Sequence, residues 1–341
     1  MITAPLIGVG IPVWRGAAFV AETLESVLNQ RGVRLKIIVS IDGADADSEH
    51  ACRPFASDAR VHIVVQPRRL GWVKNTAAVL AIASKGTEFV CVQPHDDWIE
   101  PDYFSTLLDL ARNRPQTAVV FSDLAAFGTH EGVISQESVI GTPMERQLSL
   151  LTHHFNAVAY RGLIRTFALT GLPLISGNDY GDFACDTIWM ARLARAGELV
   201  RAPQVLYHKR YYASSTHATW MTWPRERKIA AWIRHCLDLL AEALTVANDP
   251  EDRRLLIEAA GCRLVMTDIG LGPFATEINR MSPRRLWQMQ TIFDAEAAAR
   301  SDIGPLEYTL RDRLLRVVGL MRRRWIRHIA GKGRKITTKL Q

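Results

Sequence analysis

Short apolar runs alternate with helix-like segments through the first hundred residues of the chain. Four runs are rich in β-branched residues and have the length of buried strands: residues 6–13, 35–41, 61–65 and 89–92. Between them, residues 19–30 carry apolar side chains at helical spacing and residues 76–84 are rich in alanine. Strands that alternate with helices of this length form right-handed β–α–β units. The pattern therefore predicts an α/β fold with a mostly parallel sheet flanked by helices.

The pattern changes along the second half of the chain. A further strand is predicted at 118–122, a helix at 187–196 and a short strand at 204–207. Beyond residue 220, long helical segments follow at 226–246, 251–267 and 283–299. We therefore predict an α/β domain at 1–217 and a helical C-terminal region with a basic tail at 218–341.

Overall composition adds little to this prediction and mainly excludes classes of protein. The 341 residues are 48% hydrophobic and 23% charged, which is ordinary for a globular protein. No run of 18 apolar residues and no signal-peptide pattern is found, and the five cysteines are scattered rather than paired. These features predict a cytoplasmic protein with reduced cysteines and neither a disulfide framework nor a structural zinc site.

The basic charge belongs to the C-terminal tail. Residues 311–341 hold eleven Lys or Arg and a single acid, a net +10, so the total of +7 leaves −3 for the first 310 residues. Apolar residues at helical spacing are interleaved with these arginines, which fits a basic amphipathic helix lying on the inner face of an anionic membrane. A helix that packs its apolar stripe on the protein stays open as the alternative. Nucleic-acid binding is not predicted, because no aromatic and basic platform accompanies the charge.

Two adjacent carboxylates stand where the strand at 89–92 stops. Asp96 and Asp97 follow this strand directly, and ligands collect at the carboxyl ends of strands in open α/β sheets. The pair either holds a hard divalent cation against phosphate oxygens or caps the helix that follows. Gly8 and Gly10 superficially resemble a dinucleotide fingerprint, but Val13 occupies the third glycine position, so a nicotinamide site is not predicted.

An ordered series of motifs follows the predicted strand and helix ends. The series comprises Ile11-Pro12-Val13-Trp14, Ser26-Val27-Leu28-Asn29-Gln30, Ile41-Asp42-Gly43, Lys74-Asn75 and His95-Asp96-Asp97-Trp98. In this order and spacing, residues 5–217 resemble a family 2 glycosyltransferase with the glycosyltransferase-A fold. The resemblance implies transfer of a sugar from a nucleotide-sugar, expected to be a UDP-sugar, to a hydroxyl of a glycan or lipid-linked acceptor. Inversion and assistance by Mg²⁺ or Mn²⁺ are the expected course.

The resemblance also implies which residues meet the nucleotide. Those residues are Pro12, Trp14, Asp42, Lys74, Asn75, Asp96 and Arg210. Asp42 would accept hydrogen bonds from the nucleobase edge and Trp14 would form an aromatic wall, whereas Lys74 and Arg210 would meet phosphate. A turn aspartate, a core tryptophan and a solvated lysine stay open as the plain alternatives.

The metal and the catalytic base are likewise implied by the resemblance. The expected metal ligands are Asp96, Asp97 and His217, with His208 as a substitute for the last. Asp186 is the expected base, because it opens a helix before a Leu-Arg-like stretch, although the same residue could simply cap that helix. Asp179 and Asp182 are less favoured substitutes for the base.

Four departures from the family pattern motivate rival functions. They are Ile41 and Pro94 at two usual Asp positions, Cys185 at a usual Glu position, and Tyr212 at a usual His position. A non-catalytic protein that binds nucleotide-sugars or glycans on the same fold is one rival. A nucleotidyltransferase is the other, and it would release pyrophosphate.

Overall fold

The computed structural model describes residues 5–153, 157–265, 277 and 281–301, apart from the side chains of His217, Val265 and Pro283. The chain forms two compact units. One contains the residues up to 223 except 151–153, and the other contains those three and the chain from 224 onward. The predicted boundary after residue 217 falls a few residues before this division. The catalytic role predicted for 1–217 stays a prediction.

A nine-stranded sheet organises the first unit. Its strands are β1 (Leu6–Val13), β2 (Arg34–Ile41), β3 (Val61–Val65), β4 (Phe89–Val92), β5 (Trp98–Ile99), β6 (Thr117–Gly128), β7 (Gly132–Ile134), β8 (Leu163–Arg165) and β9 (Glu198–Tyr211). The order across the sheet is β3-β2-β1-β4-β8-β6-β9-β5, and β7 pairs with β6. The neighbours β3, β2, β1 and β4 are parallel, β6 and β9 are parallel to each other, and β5, β7 and β8 pair antiparallel with theirs. The predicted mostly parallel α/β sheet is therefore confirmed.

Ten helices are assigned within the described residues. They are α1 (Val20–Leu28), α2 (Ala46–Cys52), α3 (Trp72–Ala83), α4 (Tyr103–Arg112), α5 (Pro143–Thr152), α6 (Cys185–Ala196), α7 (Thr216–Met221), α8 (Arg225–Leu244), α9 (Pro250–Val265) and α10 (Pro283–Ser301). The predicted helix at 76–84 begins earlier, at Trp72, immediately after Gly71 with its φ of +85°. Such a left-handed backbone favours glycine and separates the preceding loop from the helix.

Two glycines of β1 allow α3 to lie directly on the sheet. A Cβ atom built on Gly8 would stand 2.1 Å from the carbonyl oxygen of Ala83, and one on Gly10 would stand 3.0 Å from Val79 Cγ1. Gly8 is therefore required by the close approach of helix and strand, whereas a Cβ at Gly10 would need the side chain of Val79 to shift. This packing explains the dinucleotide-like spacing of Gly8 and Gly10 without any ligand.

The Ser-x-x-x-Gln motif at the end of α1 ties that helix to the segment after β5. Gln30 Nε2 donates to the carbonyl oxygen of Glu100 at 2.6 Å, and its Oε1 accepts from the amide of Phe104 at 3.0 Å. The hydroxyl of Ser26 accepts from the amide of Ile99 at 3.3 Å. Both motif residues thus hold the segment that directly follows the loop with Asp96 and Asp97.

The second unit is helical in its described part. Helices α8, α9 and α10 pack on one another, and the indole of Trp232 donates to the carbonyl oxygen of Leu264 at 2.9 Å. The predicted basic amphipathic segment near residues 310–329 lies outside the described residues. Among the helices that are described, none is long and apolar enough to cross a bilayer.

Candidate active site

The ends of three neighbouring strands bring the predicted motifs to one edge of the sheet. Val13 at the end of β1 pairs with Ile41 at the end of β2, and Gly10 pairs with Val92 at the end of β4. Trp14, Asp42 and the loop that begins at Gln93 therefore leave the sheet on the same side. Residues predicted from widely separated motifs thus share one edge.

Asp42 holds the loop that precedes α3. Its carboxylate accepts from the amides of Leu70 at 2.5 Å and Gly71 at 3.0 Å, and the residue is only 1% exposed. The following residue, Gly43, has a φ of +83°, and a Cβ there would stand 2.8 Å from the amide nitrogen of Arg69. Both carboxylate oxygens of Asp42 are therefore bonded to backbone amides, and the predicted contact of Asp42 with a nucleobase would compete with these bonds.

Trp14 is half-buried beneath two guanidinium groups. The Cζ of Arg69 lies 4.3 Å from the centre of the indole ring, and that of Arg15 lies 5.4 Å away. Both distances fall within the range of a cation–π interaction. Trp14 therefore forms an aromatic surface at the strand edge with Arg69 packed against it, and its contact with a nucleobase stays a prediction.

Lys74 and Asn75 have different environments at the start of α3. Lys74 is exposed, whereas Asn75 is 2% exposed. The amide of Asn75 accepts from Ser40 Oγ at 2.6 Å and donates to the carbonyl oxygen of Ser40 at 2.9 Å. These two hydrogen bonds connect α3 to β2 through Asn75. Of the predicted pair, Lys74 is the residue whose side chain is exposed and free to contact a nucleotide directly.

Asp97 is enclosed by donors from distant parts of the chain. Its Oδ2 accepts from Arg161 Nε at 3.0 Å and from the hydroxyl of Tyr207 at 2.8 Å, and its Oδ1 accepts from the amide of Arg210 at 2.9 Å. The residue is 2% exposed. Burial and the neighbouring charge of Asp96 raise the pKa of Asp97, while Arg161 opposes that rise. The predicted role of Asp97 as a metal ligand competes with all three of these contacts.

Arg161 and Tyr207 are the site residues that motif reasoning missed. Burial disfavours charge on Arg161, but the adjacent carboxylate of Asp97 outweighs it and raises the pKa, so the guanidinium stays charged. Arg161 directly precedes Gly162 and β8, in a stretch without a recognisable motif. The sequence could have indicated Tyr207 as a site residue only through its position at the end of the predicted strand 204–207.

Asp96 is the carboxylate of the pair that is less enclosed. It is partly exposed. Burial and the charge of Asp96 raise the pKa of Tyr212. The ring of Tyr212 lies 5.4 Å from that of Phe19, just before α1. Tyr212 stands at the sequence position where the family pattern has a histidine.

Arg210 joins three elements around this loop. Its Nε donates to the carbonyl oxygen of Asp96 at 3.2 Å, and its terminal nitrogen pairs with Glu22 of α1. Its guanidinium also lies 4.7 Å from the ring centre of Phe19 and 4.5 Å from that of Phe127. The predicted phosphate contact by Arg210 would therefore require exchange of the Glu22 partner.

Asp186 lies in the first turn of α6. Its Oδ1 accepts from the amide of Thr187 at 2.9 Å, and Ala184 just before the helix has a φ of +51°. Burial raises the pKa of Asp186, against the lowering effect of Arg161 and Lys209. The same two cations also act on Asp97, so the fold brings Asp186 into the electrostatic environment of the carboxylate pair.

The histidines are held by other contacts or lie outside the description. His208 Nε2 stands 2.9 Å from Glu100 Oε1, and its ring stacks on Trp98 with the centroids 3.5 Å apart. His95 Nδ1 lies 3.1 Å from the carbonyl oxygen of Pro12. His217 belongs to α7, but its side chain is outside the described part of the structure.

The chemistry of these donors fits a cation that is shared with a nucleotide better than a cation held by protein alone. Within the described residues, no group of three or more His, Cys, Asp or Glu could hold a metal ion. Asp96 nevertheless offers a carboxylate at the sheet edge. One or two carboxylates together with substrate phosphates and water are sufficient for Mg²⁺ or its analogues.

Sequence comparisons show that the first unit is similar to known glycosyltransferases. Residues 8–169 match the family model described as Glycosyl transferase family 2. EpsH of Bacillus subtilis (strain 168), which bears a glycosyltransferase name, is 26% identical over 226 residues, covering 62% of this chain and 62% of EpsH. The chondroitin synthase of Escherichia coli is 23% identical over 224 residues, covering 62% of this chain and 30% of the synthase. The chain thus matches less than two thirds of the length of either relative.

Solved structures show the same fold. TarS 1–349 of S. aureus in complex with UDP is similar with a TM-score of 0.57 at 13% identity, covering 88% of each chain. The mannosyltransferase PcManGT of Pyrobaculum calidifontis, in complex with GDP-Man and Mn²⁺, gives a TM-score of 0.51 at 16% identity, also covering 88% of each chain. These likenesses confirm the predicted fold, and the match of residues 8–169 to the Glycosyl transferase family 2 model confirms the predicted resemblance to that family.

Proposed function

We propose that the chain transfers a sugar from a nucleotide-sugar, preferably a UDP-sugar, to a hydroxyl of a glycan or lipid-linked acceptor. The observation that supports this proposal is the shared electrostatic environment of Asp97 and Asp186, because the charges of Arg161 and Lys209 lower the pKa of both carboxyl groups. A carboxylate for the leaving diphosphate and another for the acceptor are the two groups that inverting transfer requires. The structurally similar TarS 1–349 of S. aureus has been solved in complex with UDP and with UDP-GlcNAc, which supports this donor class.

The donor would lie along the edge formed by β1, β2 and β4. Trp14 supplies an aromatic surface for the base, and Asp42 holds the adjoining loop through the amides of Leu70 and Gly71. Lys74 is exposed at the start of α3, where its charge can meet phosphate oxygens. Arg210 is the second candidate cation for the diphosphate.

Among the predicted metal ligands, we assign the metal role to Asp96 and a supporting role to Asp97. Asp97 is 2% exposed and has three internal donors, whereas Asp96 is partly exposed. A bound Mg²⁺ or Mn²⁺ would neutralise charge on the departing nucleoside diphosphate. Asp97 would keep the loop in place through Arg161, and His217 is retained as a further proposed ligand.

Asp186 is the proposed general base. Its carboxylate would accept the proton of the acceptor hydroxyl as the oxygen attacks the anomeric carbon from the face opposite the diphosphate, which inverts that carbon. The raised pKa, caused by burial, brings the group nearer to the range in which a base accepts a proton effectively. Contact between the basic tail and an anionic inner membrane surface is proposed for a lipid-linked acceptor.

The test is nucleoside-diphosphate release from a panel of nucleotide-sugars, with and without neutral acceptors, in Mn²⁺, Mg²⁺ or EDTA. UDP binding is measured on the same samples. We expect Asp186→Asn to bind UDP normally and to lose about 10²–10⁴-fold in turnover, whereas Asp96→Asn should lose the metal-dependent part of UDP binding. Asp179→Asn, which changes an exposed carboxylate in the loop before α6, is the matched control.

The outcomes separate the rival functions. Tight UDP binding without turnover of any donor would favour a non-catalytic binding protein, and release of pyrophosphate would favour a nucleotidyltransferase. Absence of UDP binding would overturn the assignment of the donor.

A further inference from the structure

A cavity of about 460 Å³ lies beside Tyr212, at the ends of β6 and β9. Its lining comes from the turn after β6, the end of β9, the loop that follows, and α7. The volume lies within the range of small-molecule sites. None of the roles assigned above to the donor, the cation or the base uses this cavity.

The lining is uncharged and mixes aromatic, aliphatic and hydroxyl groups. All eight lining residues belong to the described part of the chain, and none is Asp, Glu, Lys or Arg. His130 and Tyr211 form an edge-on ring pair with centroids 5.2 Å apart, and Met221 adds an aliphatic surface. Thr129 and Ser215 bring hydroxyl groups, which can both donate and accept hydrogen bonds.

Such a lining suits a neutral pyranose. A sugar ring presents apolar C–H faces and a rim of hydroxyls, which match ring and aliphatic surfaces combined with a few hydroxyl partners. An anionic sugar would lose hydration in this cavity without gaining a Lys or Arg partner among the described lining residues. The amine of Lys209 lies 4.4 Å from the ring centre of Tyr211, but Lys209 is not one of these lining residues.

Contacts on two sides connect the cavity with the carboxylates of the proposed reaction. On one side, Tyr212 lines the cavity, and Arg210, two residues earlier, donates from its amide to Asp97 and from its Nε to the carbonyl oxygen of Asp96. On the other side, α7 contributes Ala218 and Met221 to the lining, while its Trp220 packs edge-on against Phe183 with the centroids 5.1 Å apart. Phe183 belongs to the segment that leads into α6 and Asp186.

We propose that this cavity, defined by the ends of β6 and β9 and by α7, is the acceptor site and that it accepts a neutral hexopyranose. The proposal rests on the proposed glycosyl transfer, because that reaction requires an acceptor hydroxyl between Asp96 and Asp186. It narrows the acceptor class from any hydroxyl compound to an uncharged sugar at the accepting end.

The experiment is saturation-transfer NMR of the full chain with methyl glycosides. Neutral probes are the methyl glycosides of glucose, galactose and N-acetylglucosamine and the corresponding disaccharides, and methyl glucuronide is the anionic probe. Each is measured with and without UDP and Mn²⁺, and UDP binding is measured separately. We expect at least one neutral probe to bind, and methyl glucuronide to bind at least tenfold more weakly.

Variants locate the site. Ala218→Leu should fill the cavity and weaken neutral-glycoside binding at least tenfold, while UDP binding stays unchanged. The control Thr219→Leu places the same side chain at an exposed neighbouring position outside the lining and should bind like the wild type. His130→Ala, at an exposed residue, should weaken glycoside binding several-fold and serves if Ala218→Leu fails to fold.

The two proposals fail differently. Loss of UDP binding overturns the donor assignment, whereas the cavity proposal is decided by the glycoside measurements alone. Absence of binding by every neutral probe, equal or tighter binding of methyl glucuronide, or undiminished binding in both Ala218→Leu and His130→Ala would overturn it. Octyl glucoside serves as an added probe, and its binding through the alkyl chain alone, with no signal from any neutral methyl glycoside, would show a lipid occupant and would also overturn the proposal.

Discussion

Asp96 and Asp97 are adjacent in sequence, yet the fold gives them different environments. Asp97 is 2% exposed and receives donors from Arg161, Tyr207 and Arg210, whereas Asp96 is partly exposed. The sequence predicted the position of the pair but not this division. The difference depends on residues more than sixty positions away, which local pattern does not contain.

Neutralising Asp97 should cost stability, and neutralising Asp96 should not. Asp97→Asn leaves the charge of the largely buried Arg161 without its carboxylate, and breaking a buried pair of this kind costs about 3–5 kcal/mol. Asp96→Asn is the control, because it changes a partly exposed neighbour of the same size. Urea unfolding of both variants measures the difference, and equal stabilities would contradict the enclosed role of Asp97.

The ionisation of Asp186 should control the acid side of the pH–rate profile. Burial raises its pKa, and a base must be deprotonated to act, so kcat/KM should rise with pH through a value above that of a solvated aspartate, about 3.9. The measurement is the pH dependence of kcat/KM for donor turnover. An acid limb at or below the ordinary aspartate value would contradict the assignment.

The same raised pKa has an opposite consequence for stability. The folded protein holds the Asp186 proton more tightly than the unfolded chain does, so protonation of Asp186 stabilises the folded state. This stabilisation is complete below the pKa of the unfolded chain and is lost as pH rises through the pKa of the folded protein. Asp186→Asn can keep the bond from the Thr187 amide and carries no charge. It should therefore be at least as stable as the wild type at neutral pH in urea unfolding, despite its loss of turnover.

At the scale of elements, contacts between strands explain which strand bounds could be predicted from the sequence. The strands β1, β3 and β4 have the predicted bounds. β1 and β4 are apolar runs that are largely buried in parallel pairing, whereas β3 pairs in parallel with β2 and buries only Val61. β6 and β9 extend well beyond the predicted 118–122 and 204–207, since they pair along their whole lengths through a register shift at Ser122 and Asp123. A bulged pairing interrupts the alternation on which strand prediction depends.

Replacing each of the two β1 glycines with alanine should distinguish a clash with backbone from a clash with a side chain that can move. Gly8→Ala would drive a Cβ against the carbonyl oxygen of Ala83, which is backbone, whereas Gly10→Ala would meet the side chain of Val79. Overpacking of this kind costs about 1–3 kcal/mol, and we expect Gly8→Ala at the upper end or beyond. Chemical denaturation ranks the pair, and a milder effect of Gly8→Ala would contradict the close helix–strand approach.

At the scale of the whole molecule, the sequence predicted the family and the edge at which the site forms, but not how the site is closed. Trp14, Asp42 and Asp96 follow strands and could be placed by topology alone. Arg161 and Tyr207 carry no motif, and they reach Asp97 only through the pairing of β8 and β9 with the rest of the sheet. Three-dimensional contacts of this kind are not encoded in local periodicity.

The basic tail gives a prediction for the full chain. Arg322, Arg323 and Arg324 changed together to Glu should reduce binding to vesicles of phosphatidylglycerol, since each basic residue near such a surface contributes about 1 kcal/mol. Co-sedimentation at low and high salt measures this binding. A charge-matched control changes Arg34, Arg53 and Lys85, which are exposed in the first unit. Equal loss in both triple variants would contradict a role for the tail.

The enclosure of Asp97 also determines when the site can form during synthesis. Its three donors lie 64, 110 and 113 positions further along the chain, and two of them are beyond residue 169, where the family match ends. A ribosome must therefore deliver β9 before the loop of Asp96 acquires its final shape. A nascent chain arrested near residue 190 would already contain the strand-end motifs up to residue 98 and the predicted base, yet it would lack two of the three donors that hold the side chain of Asp97.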